Sequence, residues 1–164
     1  MKRMITMVTI LLVVDLVTKR WIDSILTLNE QIDVINGFLT FQLYYNTGAT
    51  RGVLEGYTGL LIFLQASIVL LLIYGYIRST PKRFAVQLAF GLLISGGLGN
   101  LIDRIQYGYV IDFIKVSWSE GIFNLADTEI RYGFILILVL YFMKKFTIQG
   151  LDDQEQLPKK SERG

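Results

Sequence analysis

Two stretches of nineteen residues without a charged side chain, 59–77 and 84–102, constrain this chain more than any other feature. At about 1.5 Å per residue, each stretch makes roughly 28 Å of helix, which matches the hydrocarbon core of a bilayer. The composition agrees, since 52% of the 164 residues are hydrophobic and only 18% are charged. We therefore predict a membrane protein built mainly from α-helices.

Two further apolar runs complete the predicted bundle. Residues 4–22 end without the small-residue cleavage site of a removable signal peptide, so we expect a retained first helix. Residues 132–143 are short for a span, but flanking side chains that reach toward the membrane surface lengthen it. The predicted fold class is a membrane all-α domain with four transmembrane helices over residues 1–146. We expect a polar, disordered cytoplasmic tail over residues 147–164.

Basic residues flank the four apolar runs on one side. They are Lys2, Arg3, Arg78, Lys82, Arg83, Lys144 and Lys145. Because positively charged flanks stay on the cytoplasmic side, we expect both termini to be cytoplasmic. The two long connections, 23–58 and 103–129, are then outer loops. A net charge of only +2 gives no indication of a nucleic-acid partner.

Each outer loop contains a predicted strand. Apolar and polar residues alternate from Leu39 to Tyr45, which is typical of a half-buried strand. Val110–Val116 is the second candidate, and it ends at a turn over residues 117–121. We expect a small β element on the outer membrane surface, where aromatic side chains such as Trp118 serve as interfacial anchors.

The chain contains no cysteine and no histidine. Thiolate nucleophiles, disulfides, cysteine-based zinc clusters and triads that use an imidazole are therefore excluded. If the protein is an enzyme, its proton chemistry must use Asp, Glu, Lys or Tyr.

Polar residues inside the predicted helices need an explanation, because ionisable groups in a bilayer are costly. Asp15 and Lys19 are four residues apart and lie on one face of the first helix. An ion pair that lets the helix insert and a role in supporting a site explain them equally well. In the third helix Gly91, Ser95 and Gly99 recur every four residues, which predicts close helix packing.

Asn100, Asp103 and Arg104 follow at the outer end of the third helix, on one face. An Asp–Arg pair at such a position usually fixes a helix end, which favours a structural role for Asp103 and Arg104. Asn100 is also suited to donate a hydrogen bond to a substrate carbonyl.

Asp112 and Asp127 are the most informative acids, because each lies in apolar sequence at the predicted outer edge of the membrane. Taken singly, either acid suits a helix cap, and Asp127 is placed to cap the fourth helix. Taken together they suggest aspartyl chemistry, since two neighbouring carboxylates do not both ionise easily. One would hold a proton while the other activates water for attack on an amide.

The combined motifs resemble the lipoprotein signal peptidases (signal peptidase II), a family of four-helix bacterial membrane aspartyl proteases. The resemblance covers residues 10–135 and rests on five motifs in order: Asp15-Leu-Val-Thr-Lys19, Asn46-Thr-Gly48-Ala49, Gly96-Gly-Leu-Gly99-Asn100-Leu-Ile-Asp103-Arg104, Val110-Ile-Asp112-Phe113-Ile114 and Phe123-Asn124-Leu-Ala126-Asp127. It implies that Asp112 and Asp127 are the catalytic dyad. The resemblance assigns substrate binding or site support to Asp15, Lys19, Asn46, Gly48, Asn100, Arg104 and Asn124.

The resemblance also implies an activity and a location. The family cleaves diacylglyceryl-modified prolipoproteins just before the lipidated cysteine, without a metal or another cofactor. The implied partners are lipid-modified precursors and membrane lipids. The implied location is the bacterial cytoplasmic membrane, with the active site at its outer face.

The residues alone leave two other functions open. A small proton-coupled transporter would also place paired acids in a bundle, although such proteins tend to have duplicated halves and broken helices near the midplane. A Ser/Lys membrane peptidase would use Lys19 with Ser95 or Ser117 as the nucleophile.

Overall fold

The structure, a computed structural model, describes residues 2–48 and 54–155, with the backbone alone from residue 144 onward. This part of the chain forms four helices and four strands. The helices are α1 (Lys2–Ile25), α2 (Thr58–Ser79), α3 (Phe84–Tyr107) and α4 (Leu125–Glu155). The strands are β1 (Gln31–Ile35), β2 (Leu39–Asn46), β3 (Val110–Val116) and β4 (Ile122–Phe123). The strands thus lie in the two long connections, between α1 and α2 and between α3 and α4.

Helices α2 and α3 contain the two uncharged stretches of the sequence. Among the described residues, they are the two helices long and apolar enough to cross a membrane. Helix α1 carries Asp15, Lys19 and Arg20 in its second half, and α4 has several charged residues at both ends. The chain is therefore mostly helical with a small sheet, as predicted, while the count of four spans stays a prediction.

The ends of the helices follow from local chemistry. Helix α3 ends at Gly108, whose φ of 80° is readily adopted by a residue without a Cβ atom. At the start of α4, Asn124 Oδ1 accepts the backbone N–H of Asp127 at 2.8 Å, which makes Asn124 the N-cap. The prediction that Asp127 caps this helix was wrong. Asp127 lies inside the first turn, and its carboxylate accepts a hydrogen bond from Asn100 instead.

Small residues allow α3 to pack closely against the three other helices. A Cβ atom at Gly96 would meet the carbonyl oxygen of Ala126 in α4, and one at Gly97 would meet α2. A Cβ atom at Gly99 would meet the carboxylate of Asp15 in α1. The predicted close packing is confirmed, and it gathers one end of α3 against all three neighbours.

The strands form one antiparallel sheet in the order β1-β2-β3-β4. Both predicted strands are present, as β2 and β3. β1 and β4 were not predicted, because β1 is exposed along its whole length and β4 has two residues. The sheet packs on the C-terminal end of α1 through Ile22, Leu26, Leu43, Ile111 and Phe113. This packing places β3, and with it Asp112, beside the end of the helical bundle.

Helix α4 continues past residue 146, the predicted end of the domain. Its helical backbone reaches Glu155, whereas the sequence predicted disorder from Thr147. Polar composition does not by itself end a helix, and the first proline after the start of α4 is Pro158. Residues 156–164 lie outside the described residues, so the division into a domain and a tail stays a prediction.

Candidate active site

Asp112 lies in β3 and is almost completely buried, with 1% of its surface exposed. Asn46 Nδ2 donates to its Oδ2 at 2.8 Å, and Asn124 Nδ2 donates to its Oδ1 at 2.6 Å. Burial, and then the negative charge of Asp127, raise the pKa of Asp112 to about 7. Asp112 therefore holds a proton near neutral pH far more readily than an exposed aspartate.

Asp127 lies in the first turn of α4 and is half-buried. Asn100 Nδ2 donates to its Oδ1 at 2.7 Å. Asn124 joins the two acids, because its amide nitrogen bonds Asp112 while its oxygen accepts the N–H of Asp127. The structure thus brings the two predicted catalytic acids together from a strand and from a helix start, close enough for the charge of one to perturb the other.

The amide of Asn100 is buried, and its neighbours fix its orientation. Lys19 Nζ donates to Asn100 Oδ1 at 2.9 Å, and Asn124 Nδ2 donates to the same oxygen at 3.1 Å. Because its oxygen faces these two donors, Asn100 presents its NH₂ group to Asp127. Asn100 therefore donates to the carboxylate of Asp127, while the suggested hydrogen bond to a substrate carbonyl stays a prediction.

Lys19 is fully buried and lies between two carboxylates. Its Nζ is 2.8 Å from Asp15 Oδ2 and 3.2 Å from Asp103 Oδ2. Arg20 pairs with the other oxygen of Asp103. Two acids and two bases therefore balance, as a buried ionic cluster requires. Asp15 also accepts the backbone N–H of Ala126 at 2.8 Å, which ties α1 to the first turn of α4.

Arg104 connects α2 and α3 to the end of β2. Its Nη1 donates to Gln65 Oε1 at 2.9 Å, and its Nη2 donates to the carbonyl oxygen of Gly48 at 2.8 Å. The N–H of Gly48 donates in turn to Asn46 Oδ1 at 3.1 Å. Since Asn46 donates to Asp112, Arg104 supports this acid through the loop that follows β2.

One hydrogen-bonded and ion-paired network contains every residue that the sequence placed in the site. The predicted site residues in this network are Asp112, Asp127, Asp15, Lys19, Asn46, Gly48, Asn100, Arg104 and Asn124. Asp103 pairs with Lys19 and Arg20 of α1 and accepts the backbone N–H of Ile111 at 3.3 Å. Its favoured structural role stays a prediction. Ala49, Thr50 and Arg51 lie outside the described residues.

Gln65 belongs to the same network and was not predicted. Its signal in the sequence is an amide inside an otherwise apolar span, where an unpaired polar group is costly. No spacing rule relates it to the acids, because its link to them passes through Arg104 of another helix.

The arrangement suits acid–base activation of water. A buried acid that retains its proton stands beside a second, more exposed carboxylate, and fixed amide donors orient both groups. Among residues 2–48 and 54–143, whose side chains the structure describes, no three acidic side chains come together as a metal site would need.

The model of the Signal peptidase (SPase) II family matches residues 7–143. This chain belongs to the signal peptidase II family. A lipoprotein signal peptidase of Clostridium tetani is 36% identical over 149 residues, which make up 88% of this chain and 92% of the relative. A lipoprotein signal peptidase of Staphylococcus haemolyticus is 33% identical over 132 residues, or 79% of this chain and 84% of the relative. The family resemblance found in the sequence is confirmed.

Two solved structures described as bacterial membrane enzymes share this fold. The first, at 1.9 Å resolution, is 31% identical with a TM-score of 0.80, and the match covers 86% of this chain and 93% of that one. The second, at 2.3 Å resolution, is 28% identical with a TM-score of 0.83 and covers 99% and 96%. The fold of this signal peptidase II is therefore that of a bacterial membrane enzyme.

Proposed function

We propose that this signal peptidase II is an aspartic endopeptidase that cleaves diacylglyceryl-modified prolipoproteins just before the lipidated cysteine. The family and its relatives support the removal of signal peptides from lipoproteins. The observation that carries the catalytic assignment is the convergence of three asparagine amides on Asp112 and Asp127. Such fixed donors orient the two carboxylates before the substrate arrives.

The two acids have different roles in the proposed mechanism because their surroundings differ. Asp112, with its pKa raised to about 7 by burial and by the neighbouring charge, holds the shared proton. Asp127, which is more exposed, takes a proton from water as the water oxygen attacks the peptide carbonyl carbon. Asp112 donates its proton to the carbonyl oxygen as the tetrahedral diol forms. When the C–N bond breaks, Asp127 gives the proton that it took from water to the leaving amine, and Asp112 takes a proton back from the diol, which leaves a carboxylic acid and restores the starting state of the dyad.

The location of the site rests on the direction of the helices. Four membrane spans with both termini in the cytoplasm put the acids, the sheet and both long connections at the outer face. Exposed apolar side chains along α1, α2 and α4 support the membrane spans, because lipid-facing surfaces must be apolar. They include Ile10, Val17, Phe63, Leu70, Phe134 and Val139. Cysteines at Glu30 and Glu120 should react with an impermeant reagent outside intact cells, while one at Lys82 should not. Labelling at Lys82 alone would contradict this orientation.

Substrate recognition follows from the position of the acids at the membrane surface. We expect the scissile peptide to contact the outer loops while the acyl chains lie between helices. The precursors and the surrounding membrane lipids are then the partners of the protein. Cleavage should depend strongly on the diacylglyceryl group.

The alternatives are not favoured. A catalytic base needs a free lone pair, but Lys19 has three donor hydrogens and three acceptors within 3.2 Å, on Asp15, Asp103 and Asn100. A Ser/Lys pair therefore has no base in this arrangement. The family and the structural relatives are peptidases or membrane enzymes, which gives no support to a transporter.

The experiment compares a lipidated and an unlipidated precursor peptide, incubated with the purified protein in detergent. The proposal predicts cleavage before the modified cysteine in the lipidated peptide and little cleavage of the other. Ser95→Ala and Ser117→Ala serve as controls and should cleave like the parent. Equal cleavage of both peptides would contradict the proposed recognition, and loss of activity in a serine variant that still folds would contradict the aspartic type.

A further inference from the structure

Gln65 is a half-buried amide in the middle of the apolar helix α2. Its Oε1 accepts from Arg104 Nη1, and its Nε2 donates to the carbonyl oxygen of Gly97 at 2.9 Å. Both ends of the amide therefore bond α3, one to a side chain and one to the backbone. This pairing fixes which end of the amide faces Arg104, since a flipped amide would set its NH₂ group against a guanidinium donor.

Arg104 depends on these contacts for its orientation. Among the described residues, its buried Nε has no hydrogen-bond partner, and Gln65 and the Gly48 carbonyl anchor the two terminal nitrogens of the guanidinium. A guanidinium is planar and rigid, and fixing one terminal nitrogen therefore directs the other. The bond to Gln65 accordingly aims Nη2 at Gly48.

The chain of hydrogen bonds continues from Gly48 to the candidate catalytic acid. Gly48 donates to Asn46 Oδ1, and Asn46 Nδ2 donates to Asp112 Oδ2 at 2.8 Å. Each link joins the donor of one group to the acceptor of the next, so we expect a displacement of Gln65 to pass along the chain.

We propose that Gln65 is a positioning residue for hydrolysis: it aims Arg104 at the Gly48 carbonyl and thereby holds the Asn46 amide against Asp112. The inference rests on the proposed aspartic mechanism. Gln65 touches neither the acids nor the scissile bond, and it acts through Arg104 and the loop after β2.

Weakening the hydrogen bond from Asn46 should shift the pKa of Asp112 in one direction. The hydrogen bond from Asn46 favours the charged form of Asp112 and so opposes the rise in its pKa. Asn124 also donates to Asp112, and the charged groups that act on this acid are Lys19 of α1, Arg104 of α3 and Asp127 of α4. Loosening Asn46 weakens this hydrogen bond and raises the pKa of Asp112 further. The loss of activity at high pH should then begin at a higher pH.

The test uses the full chain in detergent, with the lipidated precursor peptide and the variants Gln65→Leu, Gln65→Asn and Gln65→Glu. Leucine removes both bonds, and asparagine retracts the amide by one methylene, so both should lower kcat about ten-fold with little change in KM. Glutamate keeps an acceptor for Arg104 but sets its second oxygen against the Gly97 carbonyl, so it should recover part of the turnover. In the two weakened variants the high-pH limb of the kcat profile should move upward.

Ser67→Ala is the matched control, because Ser67 lies in the same helix and bonds the carbonyl of Phe63 within that helix at 2.8 Å. It should keep the kcat and pH profile of the parent. In an Asn46→Ala background, Gln65→Leu should cause no further loss of kcat, since the link that it acts through is already broken.

Two results would overturn the inference. One is a folded Gln65→Asn or Gln65→Leu variant with the pH profile of the parent, and the other is full additivity with Asn46→Ala. Asp127→Asn, measured in parallel, separates this failure from failure of the mechanism. If Asp127→Asn is inactive while the Gln65 variants match Ser67→Ala, only the positioning role is lost. If Asp127→Asn is active, the aspartic mechanism fails and the inference fails with it.

Discussion

Replacing Lys19 with methionine removes the cation at the centre of the buried cluster while nearly preserving the side-chain volume. Asp15 keeps the N–H of Ala126, and Asp103 keeps Arg20. Both carboxylates nevertheless lose an ammonium group at 2.8 and 3.2 Å. Breaking a buried ion pair from one side costs about 3–5 kcal/mol, and the remaining partners put the expected loss near 3 kcal/mol.

The free energy of unfolding in mixed micelles is the quantity to measure. Lys115→Met is the matched control, because Lys115 is half-buried and makes one hydrogen bond, to Gln42 at 3.1 Å. It should change stability by less than about 1 kcal/mol. Adding Asp15→Asn to Lys19→Met should recover part of the loss, since it removes the carboxylate that is left without a cation, whereas Asp103 still pairs with Arg20.

The same variant tests the orientation of the active-site amide. Without Lys19, Asn100 Oδ1 keeps one donor, Asn124, and its NH₂ group is less firmly directed at Asp127. Turnover should therefore fall in any Lys19→Met protein that remains folded. A Lys19→Met protein as stable and as active as Lys115→Met would refute the reasoning about the cluster.

Two further predictions concern packing and pH. Gly96→Ala places a Cβ atom against the carbonyl oxygen of Ala126 and should displace the first turn of α4, so we expect both the unfolding temperature and the activity to fall. Gly59→Ala is the control, because a Cβ atom there meets open space, and it should lower neither strongly. Because the pKa of Asp112 is raised to about 7, its contribution to stability is present below about pH 4 and is lost as the pH rises through about 7. The free energy of unfolding, measured from pH 4 to 8, should show this loss in the parent and a flatter profile in Asp112→Asn. The cleavage rate of the parent should fall above about pH 7 as the shared proton is lost. A parent rate that keeps rising to pH 9 would contradict the proton assignment.

The sequence predicted the fold where the signal is local. The uncharged stretches in α2 and α3, the alternation in β2 and the small-residue stripe of α3 each report a physical requirement of the residues themselves. β1 and β4 were missed. The alternation in β1 spans only five residues and buries no face, and β4 has two residues that pair with β3.

The site could be predicted as a set of residues but not as a network. Family motifs brought Asp112, Asp127 and Asn124 into one hypothesis. That Asn124 and not Asp127 caps α4 depends on where the helix begins, which the motifs do not specify. The role of Gln65 was missed for a similar reason. Its function depends on a contact between α2 and α3 that no spacing along the chain specifies.

The dyad assignment is tested by measuring cleavage of a lipidated precursor by detergent-purified Asp112→Asn and Asp127→Asn. Asparagine nearly preserves the volume and removes the titratable group, so both variants should fold while turnover falls by several orders of magnitude, on the order of the loss when one member of a concerted unit is removed. Thermal unfolding of each variant establishes that the fold is intact, and a chelator should leave the activity of the parent unchanged. Near-parental cleavage by either folded variant, or abolition of parental activity by the chelator, would contradict the aspartic mechanism.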